Sequence, residues 1–366
     1  MKIRTLCIVI GALLLCTLRT SAQESGIPVL AHYVSWHAKC PNNLPVCDSW
    51  KMASTIPLRN DGIVGIGYAA TNPAIIAAHN TEMRAHGILP LISWWGTDVP
   101  AGDAFLNAYL AVKDPIRIGL LYEAGGRLAG SPEFSFDIPA NRAQFVADMK
   151  HFQDTYWSKY PERFLKIDGR PVVFIWNTNL FVGAFDEAVR EARKSASFFL
   201  VGSEVNIPMG PRTGLARIVK EMDAISSYGL YNLDLTKKYA GHMNREHASV
   251  YFKALTDWSS WLAVNAPNTK LLAPLMFSYD DTKVPGRSSI PITSTPTEME
   301  LMARVTRLAV EISAAGCGNV MPYALFVSYN EHYEGSSAEP SDRYGHNALE
   351  VLSSVFQPPL RSVACK

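Results

Sequence analysis

The chain has little charge. Of its 366 residues, 18% are Asp, Glu, Lys or Arg, and no basic run or stripe occurs, so nucleic acid would find no electrostatic footing. No Gly-rich phosphate-cradling turn is present, which argues against a nucleotide-dependent enzyme and against a dinucleotide-binding sheet. No G-x-S-x-G turn occurs, and Gly202-Ser203-Glu204 lacks its flanking pattern, so Ser-His-Asp hydrolysis fits poorly. Past the N-terminus no apolar run is long enough to span a membrane. Cysteines are few and lack C-x-x-C spacing, which disfavours a metal site. Internal repeats and linkers rich enough to divide the chain are also missing.

What is present begins with an export pattern. Lys2 and Arg4 precede an apolar stretch, Leu6 to Leu18, and Thr20-Ser21-Ala22 supplies small residues before a cut ahead of Gln23. Residues 1–22 therefore read as a signal peptide, residues 23–366 as one mature domain, and the destination as secreted or periplasmic. Cleavage removes Lys2, Arg4 and Arg19 and no acids, leaving 31 basic against 33 acidic residues. A neutral partner such as a polysaccharide fits that balance, no cofactor is indicated, and a monomer is expected. Four cysteines remain, and an even count in an exported chain favours disulfides. Cys40 with Cys47 would staple a short loop, and Cys317 with Cys365 would pin the tail.

Eight short apolar runs read as strands: Val29 to Val34, Ile88 to Trp94, Ile116 to Tyr122, Pro171 to Trp176, Phe198 to Gly202, Asp223 to Tyr228, Leu271 to Phe277 and Met321 to Val327. Helical periodicity fills Ala140 to Lys159, Ala184 to Lys194, Arg212 to Glu221, Arg245 to Val264 and Thr297 to Ala314. Repeated β-α units at this length predict an α/β fold, a single-domain (β/α)₈ TIM barrel; a doubly wound open sheet is the alternative. Gly62 to Tyr68 could be a ninth strand, but its glycines weaken a strand interior, and it is assigned to a loop or short outer strand.

In such barrels the active site lies at the C-terminal strand ends. Here those ends offer His37 after the first, Trp94 and Trp95 at the second, and Tyr122 and Glu123 at the third. Trp176 follows from the fourth, Glu204 from the fifth, Tyr228 from the sixth, and Tyr279-Asp280-Asp281 from the seventh. The eighth runs into Asn330-Glu331-His332-Tyr333-Glu334. Glycosidic cleavage needs one carboxyl group to protonate the leaving oxygen and a second to act on the other side of the bond, and aromatic faces suit sugar rings. Glu331 and Glu334 are the catalytic candidates. Tyr33, Trp94, Trp95, Tyr122, Glu123, Trp176, Glu204, Tyr228, Asn330 and Tyr333 are the substrate-binding candidates. Glu123 could instead pair with Arg127 four residues on. Adjacent strand residues face opposite ways, so one of Trp94 and Trp95 should be core. His32 and His37 read as hydrogen-bonded structural residues, with no third metal ligand indicated.

The segment Asn330-Glu331-His332-Tyr333-Glu334-Gly335, with Glu339 beyond it, resembles the Asn-Glu-Trp-His-Glu-Gly hallmark of glycoside hydrolase family 99. Its continuation through Asp342-Arg343-Tyr344-Gly345 is closer to related bacterial proteins of polysaccharide clusters. His32-Tyr33, Ser93-Trp94-Trp95-Gly96, Tyr122-Glu123 and Asp168-Gly169-Arg170-Pro171-Val172 agree in order. The resemblance implies a (β/α)₈ barrel that cleaves α-mannoside-like chains with retention and without a metal. It implies that Glu331 acts as base on the sugar 2-hydroxyl, which attacks the anomeric carbon, and that Glu334 protonates the leaving oxygen. It also implies contact between Glu123 and sugar hydroxyls. His332-Tyr333 departs from Trp-His, which bears on substrate more than on chemistry. A glycosyltransferase-like enzyme and a non-catalytic glycan-binding barrel are the rival readings.

Overall fold

In the computed structural model, residues 26–35, 37, 53–58, 69–130, 133–205, 210–211, 214–228, 241–287, 289–361 and 363 are described. The signal-peptide segment, the Gly62 to Tyr68 run, Cys40, Cys47 and Cys365 lie outside them. Eight strands form one closed parallel barrel: Val29–Tyr33 (β1), Ile88–Trp94 (β2), Gly119–Tyr122 (β3), Arg170–Ile175 (β4), Phe199–Ser203 (β5), Ala224–Ser226 (β6), Lys270–Leu275 (β7) and Val320–Phe326 (β8). Each pairs with its neighbours in sequence. Closure comes where β1 pairs with β8, Val29 opposite Ala324 through Ala31 opposite Phe326. Among the described residues no helix is long and apolar enough to cross a membrane.

Among the described residues eight α-helices surround the strands: Pro73–Ala85 (α1), Val99–Ala111 (α2), Pro139–Phe152 (α3), Phe185–Ala192 (α4), Leu215–Val219 (α5), Arg245–Asn265 (α6), Pro296–Ala314 (α7) and Asn347–Phe356 (α8). The α7 start is a capping box: Thr295 accepts from the Glu298 N–H and Glu298 accepts from the Thr295 N–H. Sequence periodicity does not assign α1 and α2. Their apolar and small residues are spread around the helix, and the usable signals are the side-chain caps Asn72 and Asp98 with Pro in the first turn. Before β4, a hairpin pairs Ile167 with Arg170 around Asp168 and Gly169, both at positive φ, as a two-residue turn of the right-handed sheet twist requires.

Strand alternation makes two cores. Leu30, Leu91, Leu121, Val172, Phe174, Phe199, Val201, Ala224, Leu272, Met321 and Leu325 fill the barrel interior. The alternate residues, with helix faces, form a larger outer layer. One strand position therefore decides whether a side chain near the mouth reaches the interior or is sealed beneath a helix.

Candidate active site

Three of the residues expected at the mouth belong to the outer layer instead. The Tyr33 ring is fully buried against Phe105, Tyr109 and Tyr329, and its hydroxyl is hydrogen-bonded to His79 Nδ1 at 2.7 Å. Trp94 is fully buried too. It stacks on Tyr122, donates from Nε1 to Asp103 at 2.9 Å, and lies so close to α2 that a Cβ on Gly102 would sit 2.4 Å from its indole. Tyr122 donates to Asp148 Oδ2 at 2.9 Å in the same layer. All three occupy the outward parity of β1, β2 and β3, so they cannot face a sugar at the strand ends. Their expected binding role is corrected. Of the two tryptophans, Trp94 is the core residue and Trp95, 52% exposed, the other.

Asn330 is also corrected. It is fully buried, and its side-chain amide is taken up by the backbone of residue 34: Oδ1 accepts from the Val34 N–H at 2.8 Å and Nδ2 donates to the Val34 carbonyl at 3.1 Å. Its own carbonyl oxygen lies 2.8 Å from His37 Nε2. Asn330 clasps the end of β1 to the β8 loop just where the barrel closes.

The inward parity of the same strands supplies the mouth. His32, one residue before Tyr33, is fully buried; it stacks on Tyr228 at 5.1 Å and meets Phe174 edge-on at 4.6 Å. Neither of its ring nitrogens has a hydrogen-bond partner among the described residues, so the expected hydrogen-bonded structural role does not apply. Burial lowers its pKa to about 3, which keeps the imidazole neutral. Ser93 Oγ, Glu123 Oε1 and Trp176 Nε1 are likewise buried without partners among the described residues. Each such group typically costs about 1–3 kcal/mol in a folded chain. Four of them at the ends of β1 to β4 mark a surface suited to an incoming hydroxyl-rich ligand.

Glu123 follows Tyr122 and turns inward, 5% exposed. Arg127, its possible partner, is taken by Asp148 at 2.6 Å. Burial first, and the nearby Glu334 charge second, push the Glu123 carboxyl up to about 8. From β6, Tyr228 donates its N–H to Ser203 Oγ at 3.2 Å and meets Trp176 edge-on. Burial holds its phenol well above the ordinary range, and the charges of Glu334, Glu331 and Glu123 act in the same direction. The charges of all three carboxyl groups, one after β3 and two after β8, are thus felt at one ring.

Glu331 is buried, and its Oε1 accepts from the Tyr333 N–H at 2.9 Å. Its own N–H donates to Ser328 Oγ at 2.8 Å. Glu334 pairs with Arg287, which also lies 3.5 Å from Asp281. Burial raises the Glu334 carboxyl and the Asp281 charge adds to that. Arg287 and Tyr279 pull the other way, yet the net direction is upward. A carboxyl raised in this way keeps its proton to a higher pH than an ordinary one. Glu204, at the end of β5, is buried, and its N–H donates to the Ser226 carbonyl at 2.9 Å. Tyr333 is half-buried, its ring 4.7 Å from His37.

Sequence reasoning missed Ser93 and Arg287 as site residues, placed Tyr279 and Asp281 at the seventh strand end without a role, and misassigned His32. Parity could have found His32 and Ser93. Nothing in the sequence marks Arg287, in a loop that meets Glu334 only because β7 and β8 are neighbours.

The raised Glu123 pKa carries a stability consequence. Between about pH 5 and 8 the folded protein holds a proton that the unfolded chain, with an ordinary carboxyl pKa of 4.5, has released. Stability therefore falls as pH rises through that window. Glu123→Gln is expected to remove the slope, with a melting temperature about 2–5 °C above the parent at pH 8 and no advantage at pH 4. Thermal melts of both proteins across pH check this.

No protein-family model matches the chain, and no curated protein matches it. Among solved structures it is similar to a glycoside hydrolase family 99 endo-α-mannosidase from Bacteroides thetaiotaomicron. Identity is 15%, 88% of this chain and 95% of that one are covered, and the TM-score is 0.59. It is also similar to a glycoside hydrolase-like protein at 16% identity, covering 93% and 95%, with a TM-score of 0.69. At these identities the likeness is one of fold, and the fold is that of the family whose strand-eight motif the chain resembles.

Proposed function

We propose that the chain is a retaining glycoside hydrolase of the family 99 type, acting on an α-mannoside-like glycan. The observation that carries this reading is the set of buried polar groups at the ends of β1 to β4, on His32, Ser93, Glu123 and Trp176, that have no partner among the described residues, on a barrel whose β8 loop carries Glu331 and Glu334. Glu331 takes the proton of the sugar 2-hydroxyl as that oxygen attacks the anomeric carbon. Glu334 gives its proton to the departing glycosidic oxygen, leaving a 1,2-anhydro sugar. In the second half, Glu334 takes a proton from water as the water oxygen attacks the anomeric carbon, and O2 recovers its proton from Glu331. The raised Glu334 carboxyl suits the acid role. Glu123, Glu204, Trp176, Tyr228 and Tyr333 bind sugar hydroxyls and faces, with Trp95 at the rim.

Export of the mature chain after residue 22 belongs to the same proposal, as do the two disulfides. For the second pair, Cys317 lines a groove beside α6 and α7 together with Val363, which precedes Cys365 by two residues in the sequence.

The test is product analysis. The purified mature protein, incubated with α-mannans, α-glucans and other polysaccharides, is expected to release oligosaccharides from an α-mannan. The rate should be bell-shaped in pH, rising as Glu331 ionises and falling as Glu334 loses its proton. Binding to one glycan without release would replace the enzyme by a glycan-binding barrel. Neither binding nor release would overturn the reading.

A further inference from the structure

Behind the β8 loop, away from the carboxyl groups of the mouth, a second buried cluster joins α1 to the catalytic segment. Glu339 is 3% exposed and lies between two imidazoles: its Oε1 is 2.9 Å from His79 Nε2 and its Oε2 is 3.1 Å from His332 Nε2. An ionised carboxylate only accepts, so each Nε2 carries a proton. Each Nδ1 meets a hydroxyl: Tyr33 Oη lies 2.7 Å from His79 Nδ1, and Thr55 Oγ1 lies 3.0 Å from His332 Nδ1. The array thus links two hydroxyls through two imidazoles to one carboxylate.

His332 stands between Glu331 and Tyr333. Its side chain is fixed by Glu339 and Thr55, and its carbonyl accepts from the Ser54 and Thr55 N–H groups at 2.9 and 3.2 Å. Immediately after it, the Tyr333 N–H donates to Glu331 Oε1 at 2.9 Å. The path from α1 to the Glu331 carboxylate is therefore continuous: His79, Glu339, His332, the Tyr333 amide, Glu331.

We propose that Glu339 is a positioning residue, which through His332 and the Tyr333 amide fixes the orientation of the Glu331 carboxylate for its role as base. This rests on the reading of Glu331 given above. The carboxylate's charge is required as well as its shape. A neutral amide at 339 offers one donor and one acceptor to two N–H groups, so one imidazole must lose its hydrogen bond or reorient.

Three variants test this. Glu339→Gln and His79→Phe are expected to lower kcat about 10–100-fold with KM within about twofold. His79→Gln can accept from Tyr33 and donate to Glu339, and is expected to restore most of the rate. In crystal structures of the first two, the hydrogen bond from the Tyr333 N–H to Glu331 Oε1 should be broken, with N and O more than about 3.5 Å apart. If Glu339→Gln does not fold, His79→Phe decides, since His79 lies on α1 outside the mouth. Unchanged kcat in the folded variants, equal losses in His79→Phe and His79→Gln, or an intact Tyr333–Glu331 hydrogen bond would each overturn the proposal. Were the parent to cleave no glycan, the hydrolase reading would fall, and the crystallographic comparison would still decide whether Glu339 sets the Glu331 carboxylate.

Discussion

Glu334→Gln is expected to lose turnover by about 10²–10⁴-fold while keeping its fold and its affinity for glycan. The substitution preserves volume and leaves an oxygen that can accept from Arg287, whose side chain is 46% exposed and also faces Asp281. What disappears is a proton held by a carboxyl raised by burial. The leaving oxygen of an unactivated glycoside then departs unprotonated, and that step should dominate the loss. A substrate with a good leaving group, such as a nitrophenol or fluoride, needs less help in departing and should recover a large part of the first-step rate. Steady-state kinetics with a natural glycan and an activated glycoside, beside a glycan-binding titration, make the comparison. Equal losses on both substrates would remove Glu334 from the acid role, and full activity would remove it from the mechanism.

Asn330→Ala is expected to act on the fold. It deletes two hydrogen bonds to residue 34 and leaves the N–H and carbonyl of Val34 buried without those partners. At about 1–3 kcal/mol per stranded group the loss should reach roughly 2–5 kcal/mol, or about 5–10 °C in melting temperature for a chain of this size. Asn330→Asp should be as damaging, because it keeps the acceptor for Val34 N–H but sets a carboxylate oxygen against the Val34 carbonyl. Activity per folded molecule should fall less than in Glu334→Gln, since the amide faces the β1 backbone and not the mouth. Calorimetry with an active-site titration separates the two effects. An unchanged melting temperature would show that the clasp contributes nothing to closure.

These contrasts indicate what the sequence can and cannot convey. All eight strands are legible because a parallel strand buried on both faces must be an unbroken apolar run. The α1 and α2 helices are harder because the contrast between their faces is weak: the buried stripe of α1 includes His79 and Asn80, and the exposed face of α2 carries Pro100, Ala101 and Ala104. At the site, strand ends are legible as places but facing is not. Tyr33, Trp94 and Tyr122 have the right chemistry for sugar and the wrong parity. Asn330 has the chemistry of a ligand-binding amide, and only its partners make it a clasp. The Asn330 clasp, the Arg287 pair and the Glu339 array all link segments distant in the chain, and no local pattern encodes such a meeting.

The two-sidedness of the strand ends also sets terms for protein engineering. Adjacent codons here belong to different problems: positions 32, 93 and 123 turn to the barrel interior, while 33, 94 and 122 are sealed under helices. A saturation library at the first three, with 176 and 228, would sample substrate choice on a scaffold that still closes. The same library moved by a single residue would return mostly clones that never accumulate as soluble protein.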